Sequence, residues 1–456
     1  MPKTVDVVVL GLGVGGEAVA GGLAEAGLDV VGIESTLVGG ECPYWGCIPS
    51  KMMVRSAGLL AEARRIEGMA GDATVRPDYG PVAQRIREDA TADWDDAAAV
   101  ERLEGKGAAV VRGVGRLTGP GEVTVDGQVF RARRAVVLGT GTKPSIPPIP
   151  GLADTPYWTN RDAIEAKVPP ISLLVIGGGA IGLELAQAFA RFGTEVTVVE
   201  AAPRILAVEE PEASELLAEV LPGDGITLRA AAEISEVRHD GTAFTVVVDG
   251  DELTGEELLV ATGRRADLAA LGLDAAGVDA SGRFVEVDDH LRVTDGIWAV
   301  GDLTGKGAFT HVATYQAAIA VRSILGQDGA GADYSALPRV TFTDPEVGAV
   351  GMTEQQARES GHRVRLGMTQ IPASTRGWIH KAGNEGFIKL VEDADKGVLL
   401  GATSAGPAGG EVLGALAVAV HAKVSTQSLR QMIYAYPTFH RAIEEALKNL
   451  GEAPAE

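Results

Sequence analysis

The feature that most constrains this chain is a glycine pattern that occurs twice in the same register. An apolar run, Val7 to Leu10, leads into Gly11-x-Gly13-x-x-Gly16, and Leu173-Leu174-Val175-Ile176 leads into Gly177-x-Gly179-x-x-Gly182. The acid Glu34, which closes the next apolar run, lies 23 positions after Gly11, and Glu200 lies the same 23 positions after Gly177. Gly27 and Gly193, each ending the predicted intervening helix, keep the same offset of 166 residues. One such pattern is weak evidence. Two in register, each with strand, helix and acid in place, point to two tight strand-to-helix turns whose backbone N–H groups face a pyrophosphate, assisted by the helix dipole. The acid is placed to accept a ribose 2′-hydroxyl. A carboxylate at Glu200 would repel a 2′-phosphate, which favours NAD(H) over NADP(H), although Arg204 stands close enough to soften that preference.

Size and charge narrow the classes of function. A chain of 456 residues has room for two or three domains, and its 46% hydrophobic content is that of an ordinary globule. The net charge of −22 argues against nucleic acid or an anionic membrane surface as partner. No apolar segment reaches the ~20 residues needed to span a bilayer. The longest, Val412 to Val420, reads as a buried helix. Met1-Pro2-Lys3-Thr4 runs directly into strand-like sequence without a signal peptide, and two cysteines cannot staple a secreted scaffold, so a cytoplasmic protein is expected.

Those two cysteines, Cys42 and Cys47, lie five positions apart just downstream of the first fingerprint, in Gly39-Gly40-Glu41-Cys42-Pro43-Tyr44-Trp45-Gly46-Cys47-Ile48-Pro49-Ser50-Lys51. Free cysteines are commonly inert packing residues. Here the glycines free the backbone, Gly46 and Pro49 constrain the turn, and Lys51 brings a cation able to stabilise a thiolate or a reduced flavin. A redox-active pair is the expectation. Tyr44 and Trp45 are equally consistent with stacking on a planar acceptor and with core packing.

Elsewhere the chain falls into blocks. Residues 52–103 read as mostly helical and 108–138 as short β runs, while Lys143 to Gly151, with four prolines, reads as a linker. A β-rich pair, Phe244 to Val248 and Glu257 to Ala261, precedes Thr262-Gly263-Arg264-Arg265, and Ile297 to Val300 delivers Gly301-Asp302. From Arg339 onward the pattern is that of an α+β domain.

Taken together, the Cys-x4-Cys segment, both fingerprints, Ala261-Thr262-Gly263, Gly301-Asp302 and Phe342-Thr343-Asp344-Pro345-Glu346 resemble the pyridine nucleotide–disulfide oxidoreductases of the dihydrolipoamide dehydrogenase, glutathione reductase and mercuric reductase type, over essentially the whole chain. The resemblance implies an α/β fold with two Rossmann-like dinucleotide-binding domains, one inserted in the other, and a C-terminal α+β dimerisation domain. Its divisions would be 1–150 and 271–335 for FAD, 151–270 for NAD(H), and 336–456 for the homodimer interface. It assigns FAD to Gly11, Gly13, Gly16, Glu34, Gly40, Gly141 and Asp302, and NAD(H) to Gly177, Gly179, Gly182, Glu200 and Gly263. It pairs Lys51 with Glu184 beside the flavin, sets Cys47 against the flavin and leaves Cys42 to exchange with a small-molecule electron acceptor.

The resemblance breaks at the C-terminus. Relatives that turn over thiols end in His-Pro-Thr-x-x-Glu, whereas this chain reads Tyr436-Pro437-Thr438-Phe439-His440-Arg441. Tyr436 stands at the base position and Arg441 at the orienting carboxylate. A phenol is a poor base at neutral pH, and general acid–base help is worth about 100- to 10,000-fold, so ordinary dithiol turnover should be impaired. Drift with Tyr436 merely packing, new chemistry in which Arg441 binds an anion or holds Tyr436 as a donor, and a substitute base in His440 are the three explanations. No cysteine follows Cys47, which removes mercury reduction. Glu41 replaces the usual Thr, and near a flavin its charge would disfavour the anionic reduced state. The leading expectation is an FAD-dependent NADH oxidoreductase with a non-standard acceptor. The alternatives are a quinone or dye reductase using flavin directly, dithiol-dependent carboxylase-like chemistry, and a structural flavoprotein or redox sensor.

Overall fold

The computed structural model describes residues 2–452, and the chain divides into two compact units. The first gathers residues 1–49, 83–145 and 263–333; the second gathers 50–82, 146–262 and 334–456.

In the first unit, strand Lys3–Leu10 lies between the parallel strands Val30–Glu34 and Gln128–Leu138. Ala108–Arg112 extends the sheet beyond Val30–Glu34, and Ile297–Ala299 extends it beyond Gln128–Leu138. Successive side chains of a strand point to opposite faces. Val7 and Val9 therefore pack with Val19, Leu23, Ile319 and Ala320 of two helices, Val14–Glu25 and Thr310–Leu325. Val8 and Leu10 pack the other way, with Val123, Phe130 and Leu271. Burial on both faces explains why the strand reads as a continuous apolar run instead of an alternation. Gly15 lets the two helices approach: a Cβ there would sit 3.2 Å from Val300 and 3.4 Å from Ala313.

The second unit holds a four-stranded parallel sheet in the order Ile226–Arg229, Glu195–Val199, Ser172–Ile176, Glu257–Val260, with helix Ala180–Arg191 following the central strand. It also holds a six-stranded antiparallel sheet, built on Pro338–Thr341, Glu346–Gly351, Val398–Gly406, Phe387–Asp393, Val364–Gln370 and Gly451–Glu452. Helices Gly409–His421 and Ala442–Lys448 supply Leu413, Leu416, Ile443 and Leu447 to its core.

Several local expectations need adjustment. Phe244–Val248 is the middle strand of a separate three-stranded meander, whereas Glu257–Val260 edges the parallel sheet, so the two are not partners. Helix covers Cys47–Arg64, Gly80–Arg85 and Ala97–Gly105, but most of 65–79 lies outside regular structure. The proline-rich segment is only partly a linker, since Lys143–Pro144 pairs with Arg264–Arg265. The Val412 to Val420 stretch is helical with one buried face, and Val418 on the other is 65% exposed. No described helix is long and apolar enough to cross a membrane.

Candidate active site

Both fingerprints fold as the same device. Gly11 and Gly177 turn the chain out of their strands at φ +89° and +114°, a region glycine enters without strain. Gly16 and Gly182 then face the carbonyl oxygens of Gly11 and Gly177 so closely that a Cβ at either would collide with them. The helices that follow begin at Gly13 and Gly179, neither of which offers a side-chain cap. Their first N–H groups are therefore left for a ligand, and the helix dipole favours an anionic one.

The acids have a first task that spacing did not reveal. Glu34 accepts the Leu12 N–H through Oε2 at 2.7 Å and the Thr36 N–H through Oε1 at 2.8 Å. Glu200 repeats the arrangement, accepting the Gly178 N–H through Oε2 and the Ala202 N–H through Oε1, both at 2.6 Å. Each carboxylate closes its own glycine turn, and with roughly four acceptor positions it still has lone pairs for a ribose. Arg204 is committed elsewhere. Its guanidinium donates to the carbonyls of Leu206, Ala207 and Glu209 and to the Ser214 hydroxyl.

The thiol loop rests on the first fingerprint. Gly39 N–H donates to the Leu12 carbonyl at 2.8 Å, and a Cβ on Gly40, at φ +68°, would lie 2.8 Å from the α-carbon of Gly13. Below it, Asp96 accepts the Val38 N–H at 2.6 Å and is paired with Arg112. The loop brings Cys42, in the short helix Glu41–Tyr44, against Cys47, the first residue of helix Cys47–Arg64. No disulfide joins them. The Cys42 thiol is held well above its ordinary value, first by its hydrogen bond to Cys47 and then by burial. Thr310 opposes that rise through a hydrogen bond to Cys42, and its hydroxyl oxygen lies 3.2 Å from the Cys47 sulfur. Tyr44 and Trp45 are 6% and 9% exposed with ring centroids 5.9 Å apart, which decides between stacking surface and core in favour of core. Glu41 lies 3.9 Å from Arg264.

Asp302 accepts the Thr142 hydroxyl at 2.8 Å, and Arg264 holds that same threonine through its hydroxyl at 2.9 Å and its carbonyl at 2.7 Å. Gly141 precedes it at φ +64°, and Gly263 falls in this same unit, its carbonyl accepting Ser145 N–H at 2.9 Å.

In the second unit Lys51 Nζ meets Glu184 Oε2 at 2.7 Å. Glu184 is nearly buried, and its other oxygen accepts the Phe342 N–H at 2.9 Å. The Phe342 ring lies under the Lys51 ammonium, 4.6 Å from ring centroid to Nζ. At the C-terminus, Tyr436 is 66% exposed and the Arg441 guanidinium lies 5.4 Å from its ring centroid, with Glu444 pairing Arg441 at 3.0 Å. Tyr434 is a core residue whose hydroxyl donates to the Leu429 carbonyl at 3.1 Å. His440 lies beside Tyr434, 6.3 Å between ring centroids. Sequence reasoning missed Thr142, Thr310 and the role of Phe342. No local signal marks any of the three.

Among the described residues no group of His, Cys, Asp and Glu is arranged to hold a metal ion. The uncapped helix starts and glycine turns fit two dinucleotides: Gly11, Gly13, Gly16 and Glu34 would hold one, and Gly177, Gly179, Gly182 and Glu200 the other.

Comparison with known proteins agrees with this geometry. The pyridine nucleotide-disulphide oxidoreductase model matches residues 5–317, and the dimerisation domain of the same group matches 337–447. The dihydrolipoyl dehydrogenase of Chlorobaculum tepidum is 35% identical over 97% of this chain and 96% of its own length. The mercuric reductase of Bacillus cereus is 32% identical over 96% of this chain and 70% of its own. Among solved structures, the Cu(II) complex of the HOCl-induced flavoprotein disulfide reductase RclA from Escherichia coli superposes with a TM-score of 0.86 at 27% identity, covering 98% of this chain and 99% of that one.

Proposed function

The chain belongs to the pyridine nucleotide-disulphide oxidoreductase family, and from that premise we propose that it oxidises NADH through FAD and a redox-active Cys42–Cys47 pair, delivering electrons to an acceptor other than lipoamide or glutathione disulfide. The observation that carries this reading is the contact between the two thiols on the loop stapled to the first fingerprint. FAD, when bound, supplies the hydride acceptor that links nicotinamide to sulfur. Across the pair the balance is NADH plus disulfide giving NAD⁺, one thiol and one thiolate. Gly11, Gly13, Gly16, Glu34, Gly40, Gly141 and Asp302 would hold FAD, with Lys51 and Glu184 beside its ring. Gly177, Gly179, Gly182, Glu200 and Gly263 would serve NAD(H), and the commitment of Arg204 to backbone carbonyls supports NADH over NADPH. The division at 150, 270 and 335, a homodimer through 336–456 and a cytoplasmic setting belong to the same proposal.

The acceptor follows from Tyr436 and Arg441. The resemblance expects a base and a carboxylate at these two positions, and the phenol and guanidinium found there in contact with each other support an acceptor that needs no base. Quinones, dyes and copper(II), the ion carried by the similar Escherichia coli protein, are the acceptors to assay. The test is an anaerobic NADH titration followed by turnover on that panel and on lipoamide. Uptake of two molar equivalents of NADH per subunit, enough for both the flavin and the disulfide, with little lipoamide turnover supports the proposal. Uptake of one equivalent would make the thiols bystanders and favour a quinone or dye reductase acting from flavin alone. Rapid lipoamide turnover would refute the role given to Tyr436 and Arg441.

A further inference from the structure

We infer that Arg339, on the strand Pro338–Thr341 of the antiparallel sheet, is a positioning residue for NAD(H): it fixes the far end of the loop that runs from Glu200 to Pro211 and, through that loop, the second glycine turn. The inference rests on the assignment of the second fingerprint to NAD(H) proposed above and concerns what holds that turn in shape. The near end of the loop grips the turn directly. Glu200 accepts the Gly178 N–H, and the Leu206 N–H donates to the Gly178 carbonyl at 2.9 Å, so both backbone groups of that glycine are bound by the loop. Ile205 packs on Gly178 so closely that a Cβ there would lie 2.8 Å from its Cγ2 atom. Leu206 itself sits at φ +45°, a left-handed conformation that a side chain resists. Its carbonyl accepts the Glu209 N–H at 2.9 Å and the Arg204 guanidinium at 3.2 Å.

The far end is tied to the antiparallel sheet by charge. Arg339 Nε donates to Glu209 Oε1 at 2.7 Å, while its Nη1 donates to the Gly351 carbonyl at 3.3 Å. One residue on, Glu210 accepts Lys389 at 3.0 Å and the Glu354 N–H at 2.7 Å. Glu209 and Glu210 are both buried. Apolar residues of similar volume often stabilise a fold as well as a buried ion pair does, so what these charges add is direction. Each fixes one residue of the loop at one place. Glu209 lies three residues from Leu206, and without Arg339 its carboxylate is driven toward water. That motion pulls on Leu206, the strained residue of the loop, and loosens its hydrogen bond to Gly178. Gly178 stands between Gly177 and Gly179, so its displacement moves the helix start at which the pyrophosphate would bind.

The test is calorimetric titration of the FAD-loaded protein with NAD⁺. It compares wild type, Arg339→Met, Arg339→Lys and the double variant Arg339→Met with Glu209→Gln. Arg339→Met should weaken NAD⁺ binding by about 3- to 30-fold, the scale for a residue that acts through others. Arg339→Lys, which keeps a cation for Glu209, should return to within about threefold of wild type. The double variant leaves no uncompensated charge in the loop, and it decides the question if Arg339→Met does not fold. It should still bind weakly, because direction is lost with both charges. With ferricyanide as acceptor, so that the dithiol need not turn over, KM for NADH should rise while kcat stays within about twofold. NAD⁺ affinity equal to wild type in the folded variants, with only a lower urea midpoint, would overturn the inference and leave Arg339 a structural contact. A wild type that does not bind NAD⁺ would instead sink the assignment of the second fingerprint, and the role of Arg339 with it.

Discussion

Gly179 and Gly182 lie three residues apart in one turn, yet the structure gives a methyl group at each a different fate. Gly179 has φ −84° and ψ −179°, backbone that any residue adopts, and nothing lies within 4 Å of the Cβ it would carry. Gly179→Ala should therefore leave folding nearly untouched. Alanine at a helix N-cap is worse than glycine by some tenths of a kcal/mol, and stiffening of the unfolded chain returns about 0.4–1 kcal/mol, for a net change below about 1 kcal/mol. If the uncapped helix start receives a pyrophosphate, the same methyl fills the space the ligand needs. Steric intrusion into a packed site costs about 1–3 kcal/mol, which corresponds to roughly 5- to 150-fold in affinity. Gly182→Ala is the opposite case, because its Cβ would strike the Gly177 carbonyl oxygen in the free protein. The strand-to-helix turn must shift to relieve it, and a stability loss of about 2–3 kcal/mol is expected in addition to weaker binding. Urea unfolding and calorimetric titration with NAD⁺ read the two quantities separately. A Gly179→Ala protein that binds NAD⁺ within twofold of wild type would refute the assignment of the second fingerprint to a pyrophosphate. One that unfolds would refute the account of open space at that position.

Other outcomes follow from single contacts. Glu200→Ala should weaken NADH binding, since it removes both the ribose acceptor and the group that closes the turn at Gly178 and Ala202. Arg204→Ala should leave the ratio of kcat/KM for NADH and NADPH within about twofold, because its guanidinium is occupied by backbone carbonyls. Glu184→Gln keeps an acceptor for Phe342 N–H but removes the charge facing Lys51. With Lys51 36% exposed and partly screened, unfolding free energy should fall by about 1–2 kcal/mol. Lys389 is nearly buried and holds Glu210, Glu212 and Glu354 at 3.0, 2.7 and 3.0 Å, so Lys389→Met should cost about 3–5 kcal/mol at neutral pH. Burial works against the charged forms of both Lys389 and Glu354, but hydrogen bonds and charge from Glu212, Glu210 and Glu354 outweigh it at the lysine, and those from Lys389 and Arg358 outweigh it at Glu354, leaving Lys389 raised and Glu354 lowered. The lysine's contribution is then fully present below its unfolded value, and that of Glu354 is lost as pH falls below about 4 toward its folded value. The gap between wild type and Lys389→Met, measured by urea unfolding across pH, should be constant near neutrality and narrow in acid; a gap that widens in acid would contradict the network.

What the chain determined by itself was local and periodic. Apolar runs, the glycines after them and the acid at a fixed spacing specify strand, turn and helix within about thirty residues, because strand alternation, the freedom of glycine at positive φ and the reach of one helix are all short-range physics. That is why both nucleotide turns were legible and why their agreement in spacing carried weight. The Lys51–Glu184 pair, 133 residues apart, entered only through family resemblance, and no spacing rule would have produced it. Tertiary structure alone decided the rest. It engaged Glu34 and Glu200 first with the N–H groups of their own turns, it committed Arg204 to carbonyls, and it buried Tyr44 and Trp45. It also brought Thr310 to the sulfur of Cys47 across 263 residues of chain. A threonine at the start of a helix is unremarkable in one dimension. It reaches the Cys47 sulfur only because the helix Thr310–Leu325, packed against Val14–Glu25, starts beside the thiol loop.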